Sequence, residues 1–215
     1  MRNLLTAPRN QHRGVMSSAA AYGRIIARPV DIFANASSQL SPSVLPPVMN
    51  IRTASQSDLP DIARIQSECY SDHFVESQES FAAKLAANSD FSFIAEQGNA
   101  AVGYVFALPW LFGDVPALNG HQYSIPPNAD SLYIHDIAVG RSARQGGLAK
   151  RLLHAVLDAA RSAGFAQVFL VAVQGASSYW QRHGFEAVPI DDHLRRRLAA
   201  YGADATYMTR RTVVP

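Results

Sequence analysis

A hydrophobic strand that runs through a glycine loop into a long amphipathic helix is the feature that most constrains this chain. Residues 132–139 have the alternation of a strand, and from Leu148 apolar residues recur with helical spacing until Gly164. Gly146 and Gly147 stand between the two elements and allow a ligand to approach the backbone closely. The first amides of such a helix are unpaired and carry partial positive charge. The segment therefore predicts an anion site suited to phosphate or pyrophosphate.

The rest of the chain alternates strands with helices, which predicts an α/β (α+β) domain. Residues 167–173 are almost entirely apolar, as expected for a buried central strand. Ser57 or Asp58 is expected to cap the first helix, and Pro109 to end a strand and open a long loop over 109–130. Further strands are predicted at 50–54, 91–96, 101–108, 186–189 and 205–213, and further helices at 79–87 and 176–183 and from residue 191 or 192.

Composition narrows the classes of function. Of 215 residues, 48% are hydrophobic and 17% charged, so the chain can bury a core. The net charge of +2 does not indicate a nucleic-acid partner, and no uninterrupted apolar stretch is long enough for a membrane span. The single cysteine, Cys69, excludes an intrachain disulfide and a Cys/His zinc framework. We expect a cytoplasmic protein with neither a nucleic-acid nor a membrane partner.

Residues 1–48 differ from the body of the chain. They hold five arginines and one acidic residue, and they end in a proline cluster just before Met49. We interpret them as a flexible extension, or as the product of an upstream start codon with Met49 as the working start. A targeting presequence is the alternative, since the segment is rich in arginine and poor in acidic residues. Residues 49–215 are expected to form one domain.

The glycine loop distinguishes between phosphate ligands. A Walker loop needs Gly-Lys-Ser/Thr and a dinucleotide-binding loop needs G-x-G-x-x-G, and neither occurs here. Residues 144–149 read R-x-x-G-x-A, which resembles the acyl-coenzyme A pyrophosphate motif of the GNAT superfamily of N-acetyltransferases. The surroundings are also similar to that family. Val139 precedes Arg144 by five residues, and an apolar strand, Tyr179-Trp180 and Gly184-Phe185 follow at the family's spacing.

The resemblance implies a mixed, mostly antiparallel central sheet flanked by helices, with two central strands splayed apart. It implies acetyl-CoA as cosubstrate and no metal. Pantetheine would pair with the backbone of Ile137, Ala138 and Val139. Trp180 stands where the family commonly has a tyrosine and is expected beside the coenzyme. The pyrophosphate would be held by the amides of Arg144, Gln145, Gly146, Gly147, Leu148 and Ala149.

Acetyl transfer to an amine needs a base, because a lysine-like ammonium has a pKa of about 10.4. Family bases often lie on the strand before the motif, and His135 is our first choice there. Strand alternation sends His135 and Ile137 to one face and Asp136 to the other, unless a bulge resets the phase. Asp136, on the same strand, is a further candidate catalytic residue. A structural His135–Asp136 hydrogen bond and a base acting through water remain as alternatives.

The departing thiolate is the second chemical requirement. Trp180 cannot donate a proton at a useful pH, so Tyr179, one residue earlier, is the candidate acid. Alternatively the thiolate leaves unaided, since a thiol pKa near 8.5 makes it a tolerable leaving group.

The acceptor site is the least determined. Tyr70, His73 and Glu76 are spaced i, i+3 and i+6, which would place them on one helix face, and Glu76 would bind a cationic acceptor. Trp110 in the long loop is a candidate pocket wall. The resulting hypothesis is direct acetyl transfer to an amine of a small molecule or a protein. A non-catalytic acyl-CoA-binding or regulatory module is the alternative, and the sequence leaves a homodimer open.

Overall fold

The computed structural model describes residues 49–69, 75–173 and 175–212. The predicted extension, Tyr70 and His73 lie outside these ranges. The strands are β1 (Met49–Thr53), β2 (Phe93–Gln97), β3 (Ala100–Trp110), β4 (Ser131–Val139), β5 (Gln167–Ala172), β6 (Glu186–Ala187) and β7 (Thr206–Arg211). The α-helices are α1 (Leu59–Cys69), α2 (Gln78–Ala87), α3 (Leu148–Ser162), α4 (Ser177–Arg182) and α5 (Asp192–Leu198).

The strands form one sheet in the order β1-β2-β3-β4-β5-β7-β6. Neighbouring strands are antiparallel except β4 and β5, which run parallel. The β4–β5 pairing covers only residues 132–134 against 168–170, although β4 continues to Val139. The predicted mixed sheet is therefore confirmed, and its two central strands, β4 and β5, diverge after a short paired stretch.

A bulge in β4 decides which side chains share a face. Phe106 pairs with Asp136 and the next residue, Ala107, pairs with Ile134, so His135 is the extra residue. An extra residue shifts the alternation of all that follow. His135 therefore lies with Tyr133 (ring centroids 5.9 Å apart), and Asp136 is on that same face, bonded to Tyr104. Plain alternation would place His135 with Ile137, and the bulge resets that phase.

Helices cover both faces of the sheet. The buried side chains of α3 are those that the periodicity picks out, and with Ile137, Trp180 and Phe185 they form the largest apolar cluster. On the other face, α1 and α2 pack on Tyr104 and Phe106. Beside them, α5 and the loop 111–130 cover Tyr133, Phe169 and Tyr207. The face with His135 and Asp136 thus lies beneath α1, α2 and the long loop.

Pro109 does not end β3, contrary to expectation, since the strand runs on to Trp110. Beyond Val105, β3 has no β2 partner and pairs with β4 alone. A proline lacks only the N–H, so it is tolerated where one side of a strand is open.

The first helix also begins differently. Ser55, and neither Ser57 nor Asp58, precedes the short 3₁₀ turn Gln56–Asp58 that leads into α1. Asp58 instead accepts hydrogen bonds from the Ser55 amide (2.8 Å) and from Arg52 (2.7 Å). Arg52 holds the pKa of Asp58 at about 2, against the opposing effect of burial.

Glu76 is not on a helix, because α1 ends at Cys69 and α2 begins at Gln78. The buried side chain of Gln66 instead forms hydrogen bonds with the backbone of Glu76. It accepts from the Glu76 amide (2.7 Å) and donates to the Glu76 carbonyl (2.9 Å). The predicted helix face shared by residues 70, 73 and 76 is therefore wrong at Glu76.

Within the described residues, no helix combines the length and apolar character that crossing a membrane requires.

Candidate active site

The first amides of α3 have no hydrogen-bond partner among the described residues, as an anion site requires. Gly146 and Gly147 adopt φ of 106° and 72°, a left-handed conformation that favours glycine. The Arg151 amide donates to Gly147 O (3.1 Å), so the backbone bonding of the helix starts there. The amides of Leu148, Ala149 and Lys150 precede it and face the loop. Nothing lies within 4 Å of the position that a Cβ would take at either glycine, so a ligand has room to approach.

The end of β4 lies beside this loop. The Val139 carbonyl accepts from the Cys69 thiol and from Arg144 Nε, both at 3.3 Å. Arg144 therefore joins the loop to the backbone segment 137–139 that the motif predicts to face pantetheine. Burial raises the pKa of the Cys69 thiol, with Arg144 acting in the opposite direction. A neutral, bonded thiol fits a packing role better than that of a nucleophile.

His135 and Glu76 form a buried hydrogen-bonded pair. His135 Nε2 is 2.8 Å from Glu76 Oε1, and the two side chains are 5% and 13% exposed. Burial alone would raise the pKa of Glu76, but its interactions with His135 and Lys84 outweigh burial and hold the pKa well below its usual range. An ionised carboxylate only accepts, so Nε2 carries the proton in this bond.

The other ring nitrogen of His135, Nδ1, is able to accept a proton. Nδ1 is buried and has no hydrogen-bond partner among the described residues. When Nε2 holds the proton, a neutral imidazole presents a lone pair at Nδ1. A histidine with one nitrogen bonded to a carboxylate and a lone pair on the other has the arrangement of a general base.

Lys84 is the second partner of Glu76. Its Nζ bonds Glu76 Oε2 and Ser80 Oγ, the latter at 2.8 Å. The Lys84 side chain is fully buried, and its ammonium lies 4.8 Å from the ring centre of Tyr123. The two carboxylate oxygens of Glu76 are thus divided between the histidine and the lysine.

The long loop closes over this cluster. The Asn119 amide donates to Glu76 Oε1 at 3.4 Å, and Asn119 Oδ1 accepts from the Ser77 amide at 3.2 Å. Tyr123 lies 3.4 Å from Ser80 Oγ and is held by bonds to Ala117 and Gly120. Two anchor points therefore fix the loop 111–130 above His135 and shield the charges from water.

Asp136 lies next to His135 but has a different described partner. Its Oδ2 accepts from the Tyr104 hydroxyl at 2.7 Å. The hydrogen bond considered between His135 and Asp136 is replaced by the bond between His135 and Glu76. A catalytic role for Asp136 stays a prediction.

Tyr179 and Trp180 lie on α4, on the opposite side of the sheet. Trp180 is 3% exposed and packs edge-on against Phe185 (5.2 Å), so only a small margin of it can meet a ligand. Tyr179 is half-buried against Trp180 and His183, and burial raises its pKa. Its hydroxyl is therefore protonated at neutral pH. The roles of both residues stay predictions.

Trp110 ends β3, where its indole donates to Asp114 Oδ2 at 3.3 Å and packs beside the cluster containing Tyr133. Its place as a wall of the acceptor pocket remains a prediction. No group of histidine, cysteine and acidic side chains in the described ranges is arranged to hold a metal ion.

The sequence reasoning overlooked Lys84, Ser80, Gln66 and Tyr123. One signal was present, because Lys84 stands one turn after Ser80 in a helix that is otherwise apolar around it. A lysine among apolar helix positions is rarely buried without an acidic partner. That partner, Glu76, lies outside the helix and could not be identified from periodicity.

The comparisons with known proteins agree with this geometry. The model of the Acetyltransferase (GNAT) family matches residues 59–185. This range is more than half of the chain and includes both the glycine loop and the splayed strands. The protein belongs to the GNAT acetyltransferase family. No curated protein matches the chain significantly in sequence.

Solved structures of this fold superpose over most of the chain. The loading GNATL domain of CurA from Lyngbya majuscula has a TM-score of 0.61 at 16% identity, covering 77% of this chain and 98% of that one. GphF, a GNAT-like decarboxylase in complex with isobutyryl-CoA, gives 0.63 at 17%, covering 76% and 99%. The ribosomal-protein-S18-alanine N-acetyltransferase from Escherichia coli gives 0.54 at 18%, covering 77% and 94%. At these identities the likeness establishes the fold.

Proposed function

We propose that the protein is an acetyl-CoA-dependent N-acetyltransferase that transfers an acetyl group directly to a primary amine. The observation that carries the proposal is the position of the unbonded α3 amides next to the end of the splayed β4. A diphosphate at these amides would direct the rest of the cosubstrate along residues 137–139. Membership of the GNAT family supports this orientation.

His135 is the proposed base and Glu76 the residue that positions it. The amine nitrogen attacks the thioester carbonyl carbon and passes a proton to His135 Nδ1, directly or through one water. The carbon–sulfur bond then breaks and releases coenzyme A as a thiolate. His135 returns its proton to solvent, and Glu76 keeps the ring in the required tautomer by accepting from Nε2.

The acceptor is proposed to be a primary amine of a small molecule or of a protein. Glu76 is engaged by His135 and Lys84 on its two oxygens, so an electrostatic grip on the acceptor by Glu76 would have to displace an internal partner. We therefore propose that Glu76 positions the base His135 and does not bind the acceptor. Other groups, in the long loop and near α1, would then bind the acceptor.

Gly147→Trp tests the coenzyme site. The left-handed φ and the added ring should disturb and cover the α3 amides, so acetyl-CoA should bind at least about tenfold more weakly in calorimetry. Gly98→Trp is the matched control, because Gly98 has a similar φ of 63° and equally open surroundings but lies in the β2–β3 turn. Equal affinity in the two variants would refute the site.

Tyr179→Phe tests how the thiolate leaves. A tyrosine whose pKa is raised by burial is a weaker acid than a thiol, so it gives little driving force for protonating the thiolate. We expect kcat, followed as free thiol released with the best amine of a panel, to fall less than about tenfold. A fall of about a hundredfold or more would make Tyr179 the acid after all.

A non-catalytic acyl-CoA-binding module is the second candidate, favoured by Trp180 at the position of the family's usual tyrosine. The same amine panel separates the two functions. Tight acetyl-CoA binding without thiol release for any amine would support the binding module and exclude the transferase.

A further inference from the structure

Lys84 is a buried cation that the acetyl-transfer scheme above does not use. The chain has only two lysines, Lys84 and Lys150, and its other basic positions are arginines or histidines. Lys150 is exposed on α3, whereas Lys84 is fully buried. Burying an ammonium costs several kcal/mol unless it is paired and hydrogen-bonded. Its bonds to Glu76 and Ser80 meet that condition, and they also bring a permanent positive charge close to His135.

Among the described residues, Glu76 is the carboxylate that bonds both basic groups of the cluster. Glu76 Oε2 faces Lys84 and Glu76 Oε1 faces His135. With a neutral imidazole, the carboxylate and the ammonium balance. With an imidazolium, two buried cations would share one carboxylate, and the proton on Nδ1 would have no described acceptor. Both consequences disfavour the charged ring.

Among the described residues, the other titratable groups near His135 are three phenols and a second carboxylate, Asp136. Tyr133 packs edge-on against His135 from the same strand, and burial raises the pKa of Tyr133, so it is neutral. Tyr123 of the long loop lies over the Lys84 ammonium, and Tyr201 bonds the Tyr133 hydroxyl. Both are phenols, and burial raises the pKa of Tyr201 well above its usual value. Asp136 is adjacent on β4 and accepts from Tyr104. Lys84 is thus the permanent cation nearest to the pair among the described residues.

We infer that Lys84 is a positioning residue that keeps His135 as a neutral, Nε2-protonated imidazole with Nδ1 ready to accept a proton. It does so in two ways. It binds Glu76 Oε2, which leaves Oε1 for His135, and its charge opposes protonation of the ring. Without Lys84, Glu76 and His135 would form a simple ion pair, and the base would be occupied by a proton over a wider range of pH. The catalytic significance of this inference rests on the proposed function, but the state of the ring does not.

Nitrogen NMR of the full-length protein tests the inference without any turnover. Long-range proton–nitrogen spectra report the tautomer and charge of each of the seven histidines, and His135 is assigned by its absence in His135→Gln. We expect the wild-type His135 to show the neutral Nε2–H pattern at pH 7. An Nδ1–H tautomer or an imidazolium at that pH would overturn the inference.

Lys84→Met is the decisive variant. Removing the ammonium should move the protonation midpoint of His135 upward by about one pH unit or more, because one unfavourable charge has been removed. The acidic limb of the pH profile of kcat/KM should move in the same direction. Arg196→Met removes an equal charge from an exposed position on α5 and should leave the midpoint within about 0.3 units. Equal midpoints in the two variants would refute a role for Lys84.

Two further variants keep the result interpretable. Ser80→Ala removes a hydrogen bond to Lys84 without removing charge, so a midpoint shift as large as that of Lys84→Met would contradict the electrostatic argument. If Lys84→Met does not fold, Lys84→Gln retains a donor beside Glu76 while removing the charge and takes its place. A shifted midpoint with no turnover for any amine would support the positioning role of Lys84 and refute the proposed transferase function. If turnover requires His135 but Lys84→Met does not shift the protonation midpoint of His135, the role of Lys84 is refuted and the transferase function is not.

Discussion

Replacing His135 with glutamine should lower kcat/KM for acetyl transfer by about 10²- to 10⁴-fold, the usual contribution of a general base. The glutamine amide can still donate to Glu76, so the buried carboxylate keeps a partner and the fold should be retained. The affinity for acetyl-CoA should stay close to that of the wild type, because the unbonded α3 amides do not involve this residue. Thiol release with the best amine and calorimetry with acetyl-CoA measure the two quantities.

His154→Gln is the matched control for that experiment. His154 is exposed on α3, on the other face of the sheet, so the same substitution there should leave kcat/KM within about twofold. A His135→Gln enzyme that retains more than about a tenth of the wild-type kcat/KM would remove His135 from the role of base. Water acting alone would then be the better description.

Glu76→Gln should cost the largest amount of stability. It removes the only carboxylate bonded to Lys84 in the described part of the chain, and that ammonium is fully buried. Breaking a buried ion pair by neutralising one partner typically lowers the free energy of unfolding by about 3–5 kcal/mol. Urea unfolding at pH 7 measures the change. Glu79→Gln, the same substitution at an exposed position on α2, is the control and should have little effect.

The double variant Glu76→Gln/Lys84→Met separates charge from packing. It contains neither of the two charges, so most of the lost stability should return. A double variant no more stable than Glu76→Gln would show that the ion pair is not the source of the loss.

Lowering the pH should destabilise the protein for the same reason as the Glu76→Gln substitution, because it neutralises the Glu76 carboxylate. The pKa of Glu76 is held well below its usual range by His135 and Lys84, against the effect of burial. Its contribution to stability is therefore complete above the unfolded value of about 4.3 and is lost progressively as the pH falls below it. The wild type should lose stability between pH 5 and pH 3 faster than Glu76→Gln does.

The sequence predicted the parts of the molecule that depend on local pattern. The buried face of α3 follows from a periodicity confined to one helix, and the glycine loop follows from residues that are contiguous in the chain. The mixed sheet and the splay came from the family resemblance and not from the spacing of residues. The roles assigned to the backbone amides of the coenzyme loop stay predictions.

The parts that were wrong depend on contacts between distant segments. His135 changes face because β4 carries one more residue than the stretch of β3 that it pairs with, and alternation within β4 cannot reveal this. Glu76 leaves the helical path because Gln66, ten residues earlier, bonds both its amide and its carbonyl. Neither interaction has a signature in a single run of sequence.

The separation of β4 from β5 also bears on self-association. A gap inside a sheet is a pair of edges, and an edge with free peptide groups is a template to which an extended segment of another chain can add. Here the gap lies at the centre of the sheet and not at its margin, where charge or proline could guard it. A cosubstrate lying along residues 137–139 would cover this edge. Binding of the cosubstrate would therefore also protect the protein against aggregation.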